Sequence, residues 1–376
     1  MTIAGYQVGL KQRAALSGWQ AALISLFAIL VALVLFSLVF ILDGVNPLAA
    51  YREIFSYAFV NQYGLVLSLS RFIFLLLSTY AFIIPARAGL WNIGMTGQLY
   101  VGSLCAYGVV YALGGKASQS VYLPPLLVIP LMMLAAAIGG ALLGGLAGLL
   151  KGRFDVNEIV STMLLNFIAF WLVSEMIKEG GIFMNPQGRS ESFALPASLH
   201  APTIAGIPFT VLIALALAVV LKFLFDKTRI GYQIKAFGLN PAAARYAGIS
   251  PPAISVLVFV LGGAIAGLAG YHYFAAVPGV YKIARNYSYF GDLAFYGIIA
   301  GLISLGDPLA AIPVSLLFGG MSNGGRWVQG KLHMGFGLDY ALLGLLMITL
   351  VGFQFFYRYQ ITWQKEEAHG DVAIPG

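Results

Sequence analysis

The chain has 376 residues, 60% of them hydrophobic and only 9% charged, and its mean hydropathy is +0.88. A soluble domain carries about 25% charged residues, so most of this chain is built to avoid water, and its length converts into about ten membrane spans of roughly 20 apolar residues each better than into several soluble domains. The net charge of +7 is dispersed between apolar segments, which excludes a nucleic-acid surface and suits orientation signals; the single cysteine, Cys105, excludes a disulfide or thiolate metal site within one chain, and His200, His272, His333 and His369 show no ligand spacing.

In chain order, Lys11 and Arg13 precede an apolar run, Trp19–Leu42. It is too long for a signal-peptide core and lacks a small-residue cleavage pattern, so it is expected to stay as the first span. Asp43–Gly64 reads as an outer segment with an interfacial helix around Tyr51–Tyr57. Leu65–Ile84, Gln98–Leu113, Leu123–Leu150 and Ile159–Ile177 follow as spans, then a long polar segment, Lys178–Pro208. Phe209–Phe225 and Ile254–Phe274 flank a basic stretch. Tyr289–Leu305 and Leu309–Met321 are short and rich in Gly and Pro, as tilted, broken or re-entrant segments are, and Leu338–Phe356 completes the ten. The expected fold is all-α: a polytopic helix bundle, residues 1–376 forming one integral membrane domain, with a cytoplasmic loop at 226–252 and a cytoplasmic tail at 357–376.

Alternate threading with the N-terminus inside puts twelve Lys and Arg on the cytoplasmic side and eight outside, a bias that favours both termini in the cytoplasm. Many of the 45 glycines lie within spans, most densely at Gly139–Gly148 and Gly262–Gly270, where small residues let helix backbones approach closely. A glycine-rich span, a polar turn and another span occur at Ile138–Ile177 and again at Leu309–Phe356. Segments two to five and seven to ten start on opposite sides, the pattern of an inverted repeat.

Four stretches stand apart. Gly231–Ser250 carries Lys235 and Arg245, with Lys227 and Arg229 upstream. Asn240 suits an N-cap, Pro241 the first helical position and Gly248 a left-handed stop. The short helix between them exposes alanines with Arg245 and Tyr246, either as a docking element for another protein or as an ordinary loop. In Arg87–Leu104, Asn92, Thr96 and Gln98 stand between glycines where a span begins; polar groups at that depth need neighbours or a water-filled cavity. In Phe154–Phe170, Asn157, Ser161 and Thr162 lie on neighbouring turns and Asn166 follows four residues after Thr162, spacings that share a helical face and serve interhelical bonding or a substrate path equally well. Asp292 and Asp307 flank a short span, and Asp307 before Pro308 looks like a turn or cap. No nucleophile–base set, phosphate loop or HExxH motif is present, so an uphill transport driven by ATP would need hydrolysis in another chain.

These stretches together resemble the membrane permease subunits of ATP-binding-cassette importers, in the nucleoside and simple-sugar branch of the branched-chain amino acid/sugar permease family. Ala86–Gln98 reads ARAGLWNIGMTGQ against F-R-A-G-L-F-N-I-G-x-E-G-Q; Asn157–Ala169 reads NEIVSTMLLNFIA against N-E-V-I-S-T-I-M-L-N-Y-I-A; Lys235–Ile249 reads KAFGLNPAAARYAGI against R-A-x-G-x-N-P-x-A-A-R-Y-A-G-I. Trp91 and Thr96 depart from the pattern, which loosens the substrate assignment. The resemblance implies a transport subunit with no catalytic site and no cofactor of its own, ATP and Mg being held by a partner ATPase. It also implies a second permease chain, identical or homologous, and an extracytoplasmic substrate-binding protein docking on the outer segments. Asn240, Pro241, Ala244, Arg245, Tyr246 and Gly248 would form a coupling helix for the ATPase. Asn92, Thr96, Gln98, Asn157, Thr162 and Asn166 would serve an inward path for a small neutral solute, a nucleoside first and a simple sugar second. The alternative class, an ion-coupled secondary transporter, needs ionisable residues in the spans. Arg71, Glu175 and Asp292 are the only candidates, and each can be set near a boundary.

Overall fold

The computed structural model describes residues 2–3, 6–12, 18–115, 121–187, 190–284, 293–335 and 337–365. In chain order the helices are α1 (Gly18–Leu42), α2 (Pro47–Phe55), α3 (Gln62–Arg87), α4 (Met95–Ala112), α5 (Pro125–Phe154), α6 (Glu158–Ile177), α7 (Thr210–Lys227), α8 (Arg229–Leu239), α9 (Pro241–Tyr246), α10 (Pro251–Ala276), α11 (Leu293–Ile303), α12 (Ala311–Lys331), α13 (Leu338–Phe353) and the short α14 (Phe355–Arg358). Local chemistry sets their ends. Asn61, Asn157, Thr228 and Asn240 each accept backbone N–H bonds at a helix start, and proline occupies the first turn of α5, α9 and α10.

Each of the ten apolar segments is helical among its described residues. The outer helix expected around Tyr51–Tyr57 is α2, extended by a wide turn at Ser56–Val60. One bound differs: α12 runs to Lys331, well past Met321, because the polar residues that follow Met321 face neighbouring helices instead of ending the helix. Among the described residues six helices are long and apolar enough to cross a membrane: α1, α3, α5, α6, α10 and the run Leu338–Tyr357. α4, α7 and α12 match them in length but carry more polar side chains, such as Lys222, Asp226 and Lys227 in α7.

Residues Leu48–Tyr340 form one compact unit with α10 at its centre, packed on α3, α4 and α5. The α5–α10 contact is a seam of small residues. Gly140 opposes Gly263, Gly144 opposes Phe259, Gly148 lies against Val256 and Gly152 against Pro252, so the helices run antiparallel with backbones nearly touching. A methyl group at Gly148 would come within 2.8 Å of the Val256 Cα. That proximity is what α-carbons without side chains permit.

Packing across the unit is reciprocal. α3 lies on α11 and α12 as α10 lies on α4 and α5. α3 and α10 are themselves antiparallel: Gly262 faces Ala81 and Pro85, while His272 reaches Ser70. This exchange of partners is the arrangement expected of an inverted repeat. The unit has two polar ends. One gathers the end of α3, the α5–α6 corner, α8–α9 and the Gly306–Asp307 turn, as alternate threading requires. The other gathers the Lys178–Pro208 segment with its small hairpin, β3 (Thr203–Ile204) and β4 (Ile207–Pro208, numbered after the two N-terminal strands below). There Phe183 packs on Tyr107 and Tyr111, Glu191 pairs with Lys282 and His200 stacks on Tyr281 at 3.5 Å.

The second unit comprises Met1–Pro47 and Ala341–Gly376. Within it Phe27 meets Phe353 edge to face, and the Ser25 and Tyr357 hydroxyls share a hydrogen bond. Strands β1 (Thr2–Ile3), β2 (Tyr6–Gln12) and β5 (Tyr359–Lys365) form an antiparallel sheet in the order β1-β2-β5, with registers from Tyr6↔Lys365 to Gln12↔Tyr359. The helical reading did not anticipate these strands. Their Tyr, Ile, Thr, Val and Trp content favours extended backbone.

Candidate functional site

Between α3 and α4 the chain does not simply turn. Residues 88–94 fold back along α3 until the Asn92 side-chain amide donates to the Ala81 carbonyl at 3.3 Å, six residues above the helix end. The segment is irregular, with Asn92 fully buried. Non-helical backbone at that depth must find polar partners within the protein, and here it finds them on α6. The Ile93 N–H donates to the Thr162 hydroxyl at 3.3 Å. Asn166 serves two orphans at once: its Nδ2 donates to the Ile93 carbonyl at 3.0 Å and its Oδ1 accepts from the Gly97 N–H at 2.7 Å. Asn92 and Gln98 exchange a reciprocal amide pair at 3.0 and 3.1 Å, and the Asn92 Oδ1 also accepts from Gly94. Gly94 and Gly97 are small because Thr162 and Asn166 stand against them, 2.9 and 2.8 Å from where a Cβ would lie.

Four of the six residues expected to serve a path, Asn92, Gln98, Thr162 and Asn166, therefore meet in one polar knot. Thr96 is half-buried in the first turn of α4. Asn157 lies apart: it is exposed and caps α6 through bonds to the Ile159 and Val160 N–H groups, where Lys151 also ties the α5–α6 corner through Asp155 and Glu158.

The basic stretch folds as two helices. α9 spans Pro241–Tyr246, with the Asn240 Oδ1 accepting from Ala242 and Ala243 at 3.1 and 3.0 Å. Gly248 is left-handed at φ +80, and the Ile249 N–H returns to the Ala244 carbonyl. Ala244 is buried and pins the helix, while Pro241 and Arg245 are exposed and Tyr246 is 95% exposed. Before it lies α8, which sequence reading left as loop. It is amphipathic, burying Gly231, Ile234 and Phe237, and only Thr228 separates it from α7. Its Gly238 packs on the Arg87 and Ala88 backbone, and its carbonyl lies 3.4 Å from a Cβ position on Gly89. α8 thus joins α9 to the root of the folded-back segment.

Charged groups cluster at the same end. The Arg87 Nε donates to the Gly306 carbonyl at 2.9 Å while its guanidinium lies 5.0 Å above the Phe225 ring. Lys222 bridges Asp226 and Asp307. Asp307 caps the following turn as its sequence context suggested, its Oδ1 accepting from Leu309 and Ala310. Burial alone would raise the Asp307 carboxyl, but the Lys222 ammonium and these two N–H groups outweigh it and hold the pKa below the usual carboxylate value.

The ionisable candidates within spans fall out differently. Arg71 stands nine residues into α3, buried, donating to the Ser322 hydroxyl at 2.6 Å. Glu175 is exposed near the end of α6 and pairs with Lys178. Asp292 lies outside the described residues. His272 is buried between the Ser70 carbonyl and the Thr210 hydroxyl, both ring nitrogens engaged. Among the described residues no group of His, Cys, Asp and Glu could hold a metal ion.

Residues 64–351 match the family described as "Branched-chain amino acid transport system / permease component". The chain is 30% identical to a glucose ABC transporter permease of Haloferax volcanii over 94% of its length and 93% of the relative's. It is 28% identical to a nucleoside ABC transporter permease of Lactococcus lactis over 80% of its length and 83% of that protein's, and 28% identical to a guanosine ABC transporter permease of Bacillus subtilis over 80% and 85%. A multi-pass helical bundle with this match across its length belongs to the permease component family of ABC import systems and is a transport subunit, not an enzyme.

Proposed function

We propose that the chain moves a small neutral solute inward by alternating access, worked from the cytoplasm by a separate ATPase gripping α9. One observation carries this reading: a short capped helix, pinned at Ala244 and presenting Pro241, Arg245 and Tyr246 outward, is joined through α8 to the backbone at Arg87–Gly89, where the folded-back segment begins. A push on α9 reaches the polar knot through packed backbone. Asn240 and Gly248 fix the ends of the helix, and Arg245 and Tyr246 make the partner contact.

The knot is proposed as the movable part of the path. Asn92, Gln98, Thr162 and Asn166 spend their donors and acceptors on one another and on the 88–98 backbone in this conformation. Opening the segment would release uncharged amides and hydroxyls, which suit a hydroxyl-rich solute that needs hydrogen bonds and no counter-ion. Thr96 and Asn157 are proposed to flank that path. A nucleoside is the first substrate and a simple sugar the second, in line with the nucleoside, guanosine and glucose permeases to which the chain is similar. A binding protein would deliver the solute to the Lys178–Pro208 end, a second permease chain would complete the pair, and both termini would lie in the cytoplasm.

The test is reconstitution with the ATPase and receptor, measuring uptake of labelled nucleosides and glucose. ATP-dependent uptake is expected, and Arg245→Glu should cut it about tenfold or more, the effect of ~1.4 kcal/mol, while the protein inserts normally. Uptake that persists with ATP hydrolysis blocked and an ion gradient intact would favour the ion-coupled class, for which buried Arg71 is the one notable feature.

A further inference from the structure

In the proposed importer, motion enters at α9 and passes through α7, α8 and the root of the folded-back segment. α11 and α12 pack on α3, and among the described residues α7 packs extensively only on α3 and α8. Yet the turn between α11 and α12 is tied to α7 through Lys222. The Lys222 ammonium, on α7, lies against the Asp307 carboxylate in that turn and shares itself with Asp226 one turn along its own helix, at 3.2 Å.

The turn is built to hold Asp307 in position. Leu305 and Gly306 are both left-handed, at φ 53 and 70. Arg87 fixes the Gly306 carbonyl from α3. One carboxylate oxygen of Asp307 caps the start toward α12, which leaves the other to face Lys222. On the far side, the elbow from α7 into α8 is equally tight. Thr228 is its only spacer, its hydroxyl donating to Leu224 and accepting from Gly231, and Gly231 sits directly on the Leu224 and Phe225 backbone. This elbow couples α8 closely to α7, and Lys222 is the α7 side chain that reaches the α11–α12 turn.

We propose that Lys222 and Asp307 form a strut that transmits displacement of α7–α9 to the α11–α12 hairpin, so that both halves of the repeat switch together. The pair is about a third exposed, 36% and 30%. A pair with that access to water contributes little to folding, so a mechanical use accounts for its elaborate setting better than stability does. The proposal rests on α9 being the ATPase contact. Both residues act by positioning and touch no substrate.

The test uses the assembled importer with receptor and ATPase in proteoliposomes. Lys222→Met removes the ammonium. Asp307→Asn keeps the capping oxygen but removes the charge, so the turn survives. Each is expected to lower uptake about fivefold or more, the usual lower range of coupling between sites, while ATP hydrolysis and the amount of assembled complex stay near wild type. Lys222→Arg, which keeps the ion pair, is expected to retain uptake. Uptake undiminished in both neutral variants overturns the strut. So does a parallel loss of uptake and ATP hydrolysis, which would mark the pair as part of the docking surface. If the wild-type importer shows no ATP-dependent uptake, the permease reading fails and the strut with it; if it transports and the variants match it, only the strut fails.

Discussion

The α5–α10 seam and the knot between the 88–98 segment and α6 are both buried helix contacts, held in opposite ways. The seam works by removing side chains: Gly140, Gly144, Gly148 and Gly152 bring one backbone onto another, and no partner can be exchanged without parting the helices. The knot works by adding side chains, since Asn166 and Thr162 supply the bonds that irregular backbone lacks. A hydrogen bond can pass to water or to a solute at little net cost; a close backbone contact cannot. The seam therefore suits a fixed body and the knot a moving one.

The largest effect should come from forcing the seam. Gly267 faces the Ala136 carbonyl with no room for a Cβ, so Gly267→Leu meets backbone that cannot rotate away. Its cost should exceed the ~1–3 kcal/mol of ordinary overpacking. Little or no monodisperse protein is expected on size exclusion, and a normal yield with an unchanged melting temperature would contradict the fixed-body view. Next comes Asn166→Ala, which orphans the Ile93 carbonyl and the Gly97 N–H, at about 1–3 kcal/mol for each buried group left unpaired. A lowered melting temperature with protein still folded is expected, and an unchanged melting temperature would show that neither bond contributes. The smallest change is Thr162→Val, which removes the long bond from the Ile93 N–H at 3.3 Å together with the hydroxyl's local bond to the Glu158 carbonyl at 2.6 Å and should cost about 1 kcal/mol. A loss as large as that of Asn166→Ala would mean the hydroxyl bears more of the segment than its geometry shows.

Much of this was legible in the sequence. The ten apolar segments mark ten helices because a lipid-facing or buried helix must be apolar over most of its length. The α9 boundaries were readable because Asn240, Pro241 and Gly248 act within a few residues of themselves. Asp307 was readable as a cap for the same reason. What escaped were relations between distant residues. Nothing near Arg87 announces Gly306, and nothing near Lys222 announces Asp307, since each pair meets only after the helices pack. Asn166 and Thr162 could be placed on one helical face, but periodicity cannot say that this face feeds a broken backbone instead of open water. The early end expected for the Leu309–Met321 segment has the same origin. Ser322 and Asn323 look like a boundary until Arg71, Ser68 and the Gly64 carbonyl appear opposite them.

The small sheet formed by β2 and β5 has a topological consequence. Two strands that share backbone hydrogen bonds must occupy the same aqueous compartment, because neither can reach through a bilayer to the other. The number of crossings between Gln12 and Tyr359 is therefore even, whichever segments cross fully and whichever turn back. Reporter proteins fused to either tail should light up together or stay dark together, and joining the tails through a short linker should leave the rest of the chain free to be opened elsewhere.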